Sequence, residues 1–373
     1  MKILFTGGGT GGHIFPIIAI ARELRKIYPQ DIHFFFIGPR DDFASVLLSQ
    51  EGIDIKTIWA GKIRRYLTPV SLIQNLFDIF IKIPIGILQS FFYIFFSAPD
   101  LIFCKGGFGS LPPTIAGWLL QTPIFLHESD VAPGAANRFL SRFAKKIFVS
   151  FPNTEYFSPA KMILVGNPIR REMLDESETV AQDFFKITNE KPVILILGGS
   201  QGAQRINDEI LEVLSELLQE FELIHQTGIK NFKQIEAEAK VIISEGLEKY
   251  YHPFPFFREQ ELKKAYRLAD LIVSRAGAGS IFEIAALGKP SILVPISEAA
   301  QNHQIKNAYA YAQNGASQVL EEANFTSHFF LEKLKTLFAH PLELEKMSQT
   351  AQEFAKPLAA TNIAKYIIDY LFA

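Results

Sequence analysis

One cysteine, Cys104, is present in 373 residues. That count rules out an internal disulfide and a cysteine-rich zinc cluster, and it fits a reducing compartment. A dominant charge is also missing: 37 lysines and arginines stand against 39 aspartates and glutamates, for a net charge of -2. No global field draws in nucleic acid, so none is expected as a partner. The chain opens without a secretory signal, because Met1-Lys2-Ile3-Leu4-Phe5-Thr6 runs directly into glycines. This start reads as a first strand and predicts a protein that stays inside the cell.

Phenylalanine, by contrast, is abundant, with 34 copies in 373 residues. Part of that excess falls in Ile83 to Pro99, 17 residues without a charge. The stretch is slightly shorter than the roughly 18 to 20 apolar residues that span a bilayer, and Pro84, Gly86 and Gln89 weaken a spanning reading further. A pair of buried helices and an apolar surface patch both remain open for it.

The length suits two domains of roughly 150 to 190 residues. Short apolar strands alternate with helical stretches at Ile3 to Phe5, His33 to Ile37, Leu101 to Cys104, Ile124 to Leu126 and Ile147 to Val149. A second series follows at Val193 to Leu197, Leu223 to Gln226, Leu271 to Ser274 and Ile292 to Val294. This βαβ alternation predicts an α/β chain with two Rossmann-like, doubly wound parallel sheets. The halves echo each other: Asp100-Leu-Ile-Phe-Cys-Lys-Gly-Gly-Phe-Gly-Ser110 aligns with Asp270-Leu-Ile-Val-Ser-Arg-Ala-Gly-Ala-Gly-Ser280, six of eleven positions being identical. Ligands of such sheets bind beyond the carboxyl ends of the strands, so the expectation is two sheets facing across a cleft. The domains are expected at 1-165 and 166-355, with a hinge near Val165-Gly-Asn-Pro168 and a terminal helix, about 356-373, packing back on the first.

Each half has a glycine loop after its first strand, Gly7-Gly-Gly-Thr-Gly-Gly12 and Gly198-Gly-Ser-Gln-Gly202. Glycines let backbone amides and a helix amino terminus approach a phosphate. A dehydrogenase would also want an acid ending the second strand, and Asp41 is poorly placed for that. His13, beside the first loop at a helix start, should be neutral and able to take a proton, or else it merely supports the loop. Arg275 precedes a glycine turn, and Ser280 and Glu283 have the spacing of a capping box. Glu283 could equally accept both hydroxyls of a ribose. His127-Glu128-Ser129-Asp130 is a polar cluster after an apolar run, and His303, Gln304 and Asn307 sit on an expected polar loop whose amides suit sugar hydroxyls. Asp-x-Asp, expected where a metal bridges a sugar diphosphate, is absent. Leaving-group charge would then fall on helix ends, loop amides and Arg170, with no metal or cofactor assigned, although magnesium could arrive with a substrate.

Gly7-Gly-Gly-Thr-Gly-Gly-His13-Ile-Phe-Pro16, Gly106-Gly-Phe-Gly109, His127-Glu128, Gly166-Asn-Pro168, Gly198-Gly-Ser-Gln-Gly202, Arg275-x-Gly-Ala278 and His303-Gln-x-x-Asn307 together resemble the MurG family of peptidoglycan N-acetylglucosaminyltransferases. The resemblance runs from end to end. It implies a GT-B fold and inverting transfer of N-acetylglucosamine from UDP-N-acetylglucosamine to the C4 hydroxyl of undecaprenyl-diphosphate-N-acetylmuramoyl-pentapeptide, that is, lipid I to lipid II. Residues 1-165 would then be the acceptor and membrane-associating domain, and 166-355 the donor domain.

The resemblance puts Thr10, Gly11 and Gly12 in the first loop and Ser200 with Gln201 in the diphosphate-facing loop. Ala278, Gly279, Ser280 and Glu283 would hold donor phosphate and ribose, Gln304 the sugar, and the backbone near Phe257 or Arg258 the uracil. His13, Asp130 and Glu128 are the candidate bases. Ser129 and Asp130 depart from the family's usual Gln-Asn after His-Glu, which makes Asp130 a rival to His13.

The family's membrane patch suits the apolar stretch between Leu72 and Phe96. Nearby are Lys62, Arg64, Arg65 and Lys82, with Arg138, Arg142, Lys145 and Lys146 expected on a second helix. The implied location is peripheral, on the cytoplasmic face of the membrane against anionic lipid, with cell-wall synthesis or division proteins as further partners. The rival readings are a UDP-N-acetylglucosamine 2-epimerase of the same architecture and an NAD-dependent dehydrogenase.

Overall fold

The structure, a computed structural model, describes residues 1–8, 11–64, 68–174, 177–198, 203–296 and 302–373. They form two compact units, Met1–Arg170 with Lys356–Ala373, and Arg171–Ala355.

In the first unit lie β1 (Lys2–Gly7), β2 (His33–Gly38), β3 (Asp54–Thr57), β4 (Leu101–Gly106), β5 (Ile124–Glu128), β6 (Lys146–Val149) and β7 (Met162–Leu164). They pair in the order β3-β2-β1-β4-β5-β6-β7, all parallel. Parallel strands need cover on both faces, and side chains alternate between those faces along each strand. Ile3, Phe5, Leu101, Phe103, Phe125 and Phe148 accordingly share one buried layer with Phe34 and Phe36, while Leu4, Ile102, Cys104, Ile124, Leu126 and Ile147 share the opposite one.

The first layer is largely aromatic, with ring centroids 6.0 Å apart for Phe5–Phe103 and 5.7 Å for Phe125–Phe148. The terminal helix Ala359–Phe372 closes it. Tyr366 sits 5.6 Å from Phe125 and 5.4 Å from Phe148, and Ala360, Ile363, Ala364 and Ile367 fill the same cluster. Thr361 Oγ1 donates to Glu23 Oε2 on the facing helix Gly11–Ile27 at 2.7 Å.

Another part of the phenylalanine excess is on the surface. Helix Pro69–Phe77, capped by Thr68, continues through one π-helical turn, Asp78–Lys82, into helix Ile83–Ser97. A pair of buried helices is therefore not what forms: Ile73 is 68% exposed, Phe80 69% and Phe96 79%. Gly86, which weighed against a spanning reading, has a packing reason, since a Cβ there would lie 1.9 Å from the Trp59 carbonyl oxygen. The buried carboxylate of Asp78 holds Arg64 at 2.8 Å and Lys82 at 2.7 Å.

The second unit contains β8 (Val193–Leu197), β9 (Glu222–Gln226), β10 (Tyr251–Phe254), β11 (Leu271–Ser274), β12 (Ser291–Leu293) and β13 (Gln318–Val319). Their order is β10-β9-β8-β11-β12-β13, again all parallel. It repeats the arrangement of the first sheet, and Ile194, Ile196, Leu223, Leu271, Val273 and Ile292 anchor its core. Ile363→Ala should lower the stability of the first unit by about 2–4 kcal/mol through the cavity it leaves. Urea melts read by intrinsic fluorescence would check this, an unchanged first-unit midpoint counting against the closing role of the terminal helix.

Candidate active site

In both sheets the strand order reverses beside the first strand, between β1 and β4 and between β8 and β11. The crevice beyond the strand ends at such a point is where α/β sheets bind ligands. In the first unit the ladder slips there: Thr6 pairs with Cys104 but Gly7 with Gly106, so Lys105 is the extra residue of a bulge. Gly107 has φ 80°. That left-handed backbone favours glycine, a Cβ there would also press on the His13 ring at 3.3 Å, and one at Gly8 would sit 2.8 Å from its Nδ1. His13, in the first turn of helix Gly11–Ile27, is thus held between the turns that follow β1 and β4.

Around it is a polar network. Lys105 Nζ donates to Ser129 Oγ at 2.5 Å, and Ser129 Oγ donates to Asn167 Oδ1 at 2.8 Å. Glu128, at the end of β5, accepts from the Asp130 N–H at 3.0 Å and from Asn137 Nδ2 at 2.8 Å, and Asn137 Oδ1 accepts from the Gly107 N–H at 3.3 Å. His127 Nε2 meets the Gly166 carbonyl at 3.2 Å.

Burial and the neighbouring Lys105 charge hold His13 down to about 3 and His127 well below its usual range. Burial, then the Asp130 charge, pushes Glu128 up to about 7. Burial brings Lys105 down to about 8 against the pull of Glu128 and Asp130. The network therefore offers a neutral imidazole and a carboxyl that is near half-ionised at neutral pH. Of the two, the carboxyl titrates nearer the range in which a proton acceptor works best, and the imidazole is the weaker base.

Of the other first-loop residues, Gly11 and Gly12 begin the helix, whereas Thr10 lies outside the described residues, as do Ser200 and Gln201. Arg170 is buried, its guanidinium 4.1 Å from the Phe15 ring centroid.

In the second unit, helix Ala278–Ala286 starts directly after β11, with Gly277 at its cap and no side-chain cap bond. This corrects the capping-box reading: Ser280 is already inside the first turn, and the Glu283 carboxylate accepts from the Tyr266 hydroxyl at 3.1 Å. A Cβ at Gly277 or Gly279 would meet no atom within 4 Å among the described residues. Arg275 is bound within the unit, donating to the Val294 carbonyl at 3.1 Å and pairing with Glu322 at 2.6 Å.

The expected polar loop at His303, Gln304 and Asn307 is instead the start of a helix, His303–Ala312. Gln304 Oε1 accepts from the Ile296 N–H, and buried Asn307 donates to the Ala276 carbonyl. The Phe257 ring is buried against Phe254 and its N–H donates to Gln226, while Arg258 is exposed.

The glycosyltransferase family 28 N-terminal domain matches residues 3–149, and the family 28 C-terminal domain matches residues 193–363. The UDP-N-acetylglucosamine--N-acetylmuramyl-(pentapeptide) pyrophosphoryl-undecaprenol N-acetylglucosamine transferase of Treponema pallidum is 35% identical over 99% of this chain and 95% of its own length. Transferase 2 of the same name from Bacillus cereus is 35% identical over 99% of both chains. The chain belongs to this transferase family. The crystal structure of Acinetobacter baumannii MurG superposes with a TM-score of 0.74 at 26% identity, covering 99% of each chain. The UDP-GlcNAc 2-epimerase of Neisseria meningitidis, at 16% identity and a TM-score of 0.68 over 99% of this chain and all of its own, shares the fold alone. The chain is thus a GT-B glycosyltransferase of two Rossmann-like domains.

Within this transferase fold, sequence reasoning passed over Lys105 and Asn137. The repeat did carry a signal for the first, since Lys105 aligns with Arg275. Both cations bond across to the end of the next strand, at Ser129 and at Val294.

Unfolded histidines bind protons from about pH 6.5 downward, whereas His13 and His225 are held to about 3 in the folded chain. These two and His127 therefore contribute stability that is complete above that pH and declines as pH falls toward 3. In nitrogen-detected NMR the His13 imidazole should stay neutral, its shifts constant from about pH 8 to pH 5. A titration inside that window would contradict the enclosure described here.

Proposed function

We propose that the chain transfers N-acetylglucosamine, with inversion, from UDP-N-acetylglucosamine to the C4 hydroxyl of N-acetylmuramoyl-pentapeptide on undecaprenyl diphosphate, forming lipid II. The observation that carries this is kinship over 99% of the chain with transferases bearing that name. The first unit takes the acceptor and the second the donor.

A base among His13, Glu128 and Asp130 removes the alcohol proton as the oxygen bonds to C1 of the donor sugar. The bond from C1 to the β-phosphate oxygen breaks and UDP departs. The amino terminus of helix Ala278–Ala286, with no side-chain cap bond among the described residues, supplies N–H groups and a positive dipole end for the diphosphate, with Glu283 for the ribose, Gln304 for the sugar and Arg170 for leaving-group charge. Arg275, tied to Glu322 and Val294, shapes this turn from behind.

His13→Ala should cut kcat for transfer by about a hundredfold or more while leaving UDP affinity nearly intact. An equal loss of both would reassign His13 to binding. Incubation with UDP-N-acetylglucosamine alone should yield no mannosamine product, whose appearance would favour epimerisation.

The reading extends to a peripheral membrane location on the cytoplasmic face. The described residues include one helical run, Pro69–Ser97, that is long and apolar enough to cross a bilayer and is 17% buried over its most apolar window. Lying flat, it would bury its exposed aromatics at the lipid boundary. The basic residues support this only in part. Arg64 and Lys82 are committed to Asp78, and only Arg138 lies on helix Ala135–Leu140, Arg142 and Lys145 following it and Lys146 opening β6. Phe80→Asp with Phe96→Asp should weaken binding to vesicles containing anionic lipid by about tenfold without changing UDP binding. Undiminished sedimentation with vesicles would exclude this face as the anchor.

A further inference from the structure

Lys105 is a lysine at the centre of the first unit's polar network, 2% exposed and set in the bulge at the end of β4. A bulge beside a site re-aims a side chain, and this one sends the ammonium to Ser129 Oγ at 2.5 Å. Ser129 in turn donates to Asn167, in the segment leading out of the first unit. The ammonium is thus fixed within the protein by its bond to Ser129.

The groups facing it come from every element packed there: His13 at the start of helix Gly11–Ile27, Cys104 on β4, His127 and Glu128 on β5, and Asp130 in the following loop. We propose that Lys105 is the positioning residue of the acceptor site, a buried cation that holds the Ser129–Asp130 turn in place and favours the ionised form of the Glu128 carboxyl.

The Lys105 charge acts in the same direction on His13 and on Glu128, lowering the first and opposing the upward push on the second. Removing the charge lets protons bind more readily at either group, so the basic form would require a higher pH. At neutral pH the effect falls on Glu128, held at about 7, because His13, held at about 3, stays in its basic form with or without the Lys105 charge. The proposal rests on the reading above that the first unit receives the acceptor.

The test is the pH profile of kcat/KM for transfer from UDP-N-acetylglucosamine to a lipid-linked muropeptide, in the full chain and in Lys105→Met, Lys105→Gln and Lys105→Arg. In the two neutral variants the acidic limb should move upward by about one pH unit. At pH 7 kcat should fall by about fivefold, with KM for the donor within about twofold. Lys105→Arg should restore the limb. Lys105→Gln, which keeps a donor for Ser129, guards against poor folding of Lys105→Met, and UDP-dependent thermal shifts confirm an intact second unit.

A uniform fall at every pH with the limb unmoved would overturn the proposal and leave Lys105 as packing. So would a displaced limb that Lys105→Arg does not restore. An unaltered chain that transfers nothing would overturn the transfer reading and this inference together, whereas an active chain with unmoved variants overturns the inference alone.

Discussion

Strand polarity governs both units. Because every strand runs the same way, helices must cover both faces of each sheet, and the polar chain ends that cannot be buried collect along one edge. The residues with chemistry occupy that edge: the turn after β1 with His13, the bulge of β4 with Lys105, the end of β5 with Glu128, and in the second unit the turn after β11 with the helix amino terminus. The apolar strands beneath contribute rigidity. A histidine can be held between Gly8 and Gly107 because both backbones are anchored by neighbouring ladders.

The same edge stores electrostatic cost. Lys105, Glu128 and His13 each have their charged form disfavoured by burial, and isolated buried charges are expensive. The arrangement persists because the charges answer one another and the remaining lone pairs are occupied by Asn137, Ser129 and backbone N–H groups. A site held this way has groups that titrate near neutrality, the range in which a proton acceptor is most useful.

The central strands were legible because they are continuous apolar runs bounded by glycine or proline, and all nine anticipated segments fall on strands or, at Val294, directly after one. The edge strands β3, β7, β10 and β13 were not, since Asp-Ile-Lys-Thr or Tyr-His-Pro-Phe carries no strand pattern and is ordered by its neighbour. In the site, His13 and Glu128 stood out through adjacency to a glycine loop and a strand end. Lys105 did not, because a lysine closing an apolar strand looks like an ordinary terminus, and the bulge that turns it inward depends on the register with β1. The helix at His303 was missed for a related reason: its first turn is polar because its side chains bond back to the preceding strand end.

The terminal helix has a consequence for synthesis. It completes the aromatic layer of the first unit, yet it lies after all of the second unit in the chain. A ribosome therefore releases the first sheet with one face, including Phe125 and Phe148, still lacking its final cover until Ala359–Phe372 has been made. Exposed apolar surface on a nascent chain invites chaperone capture or misassociation. The second unit has its core within one continuous segment and can finish earlier, so the half made first becomes native last.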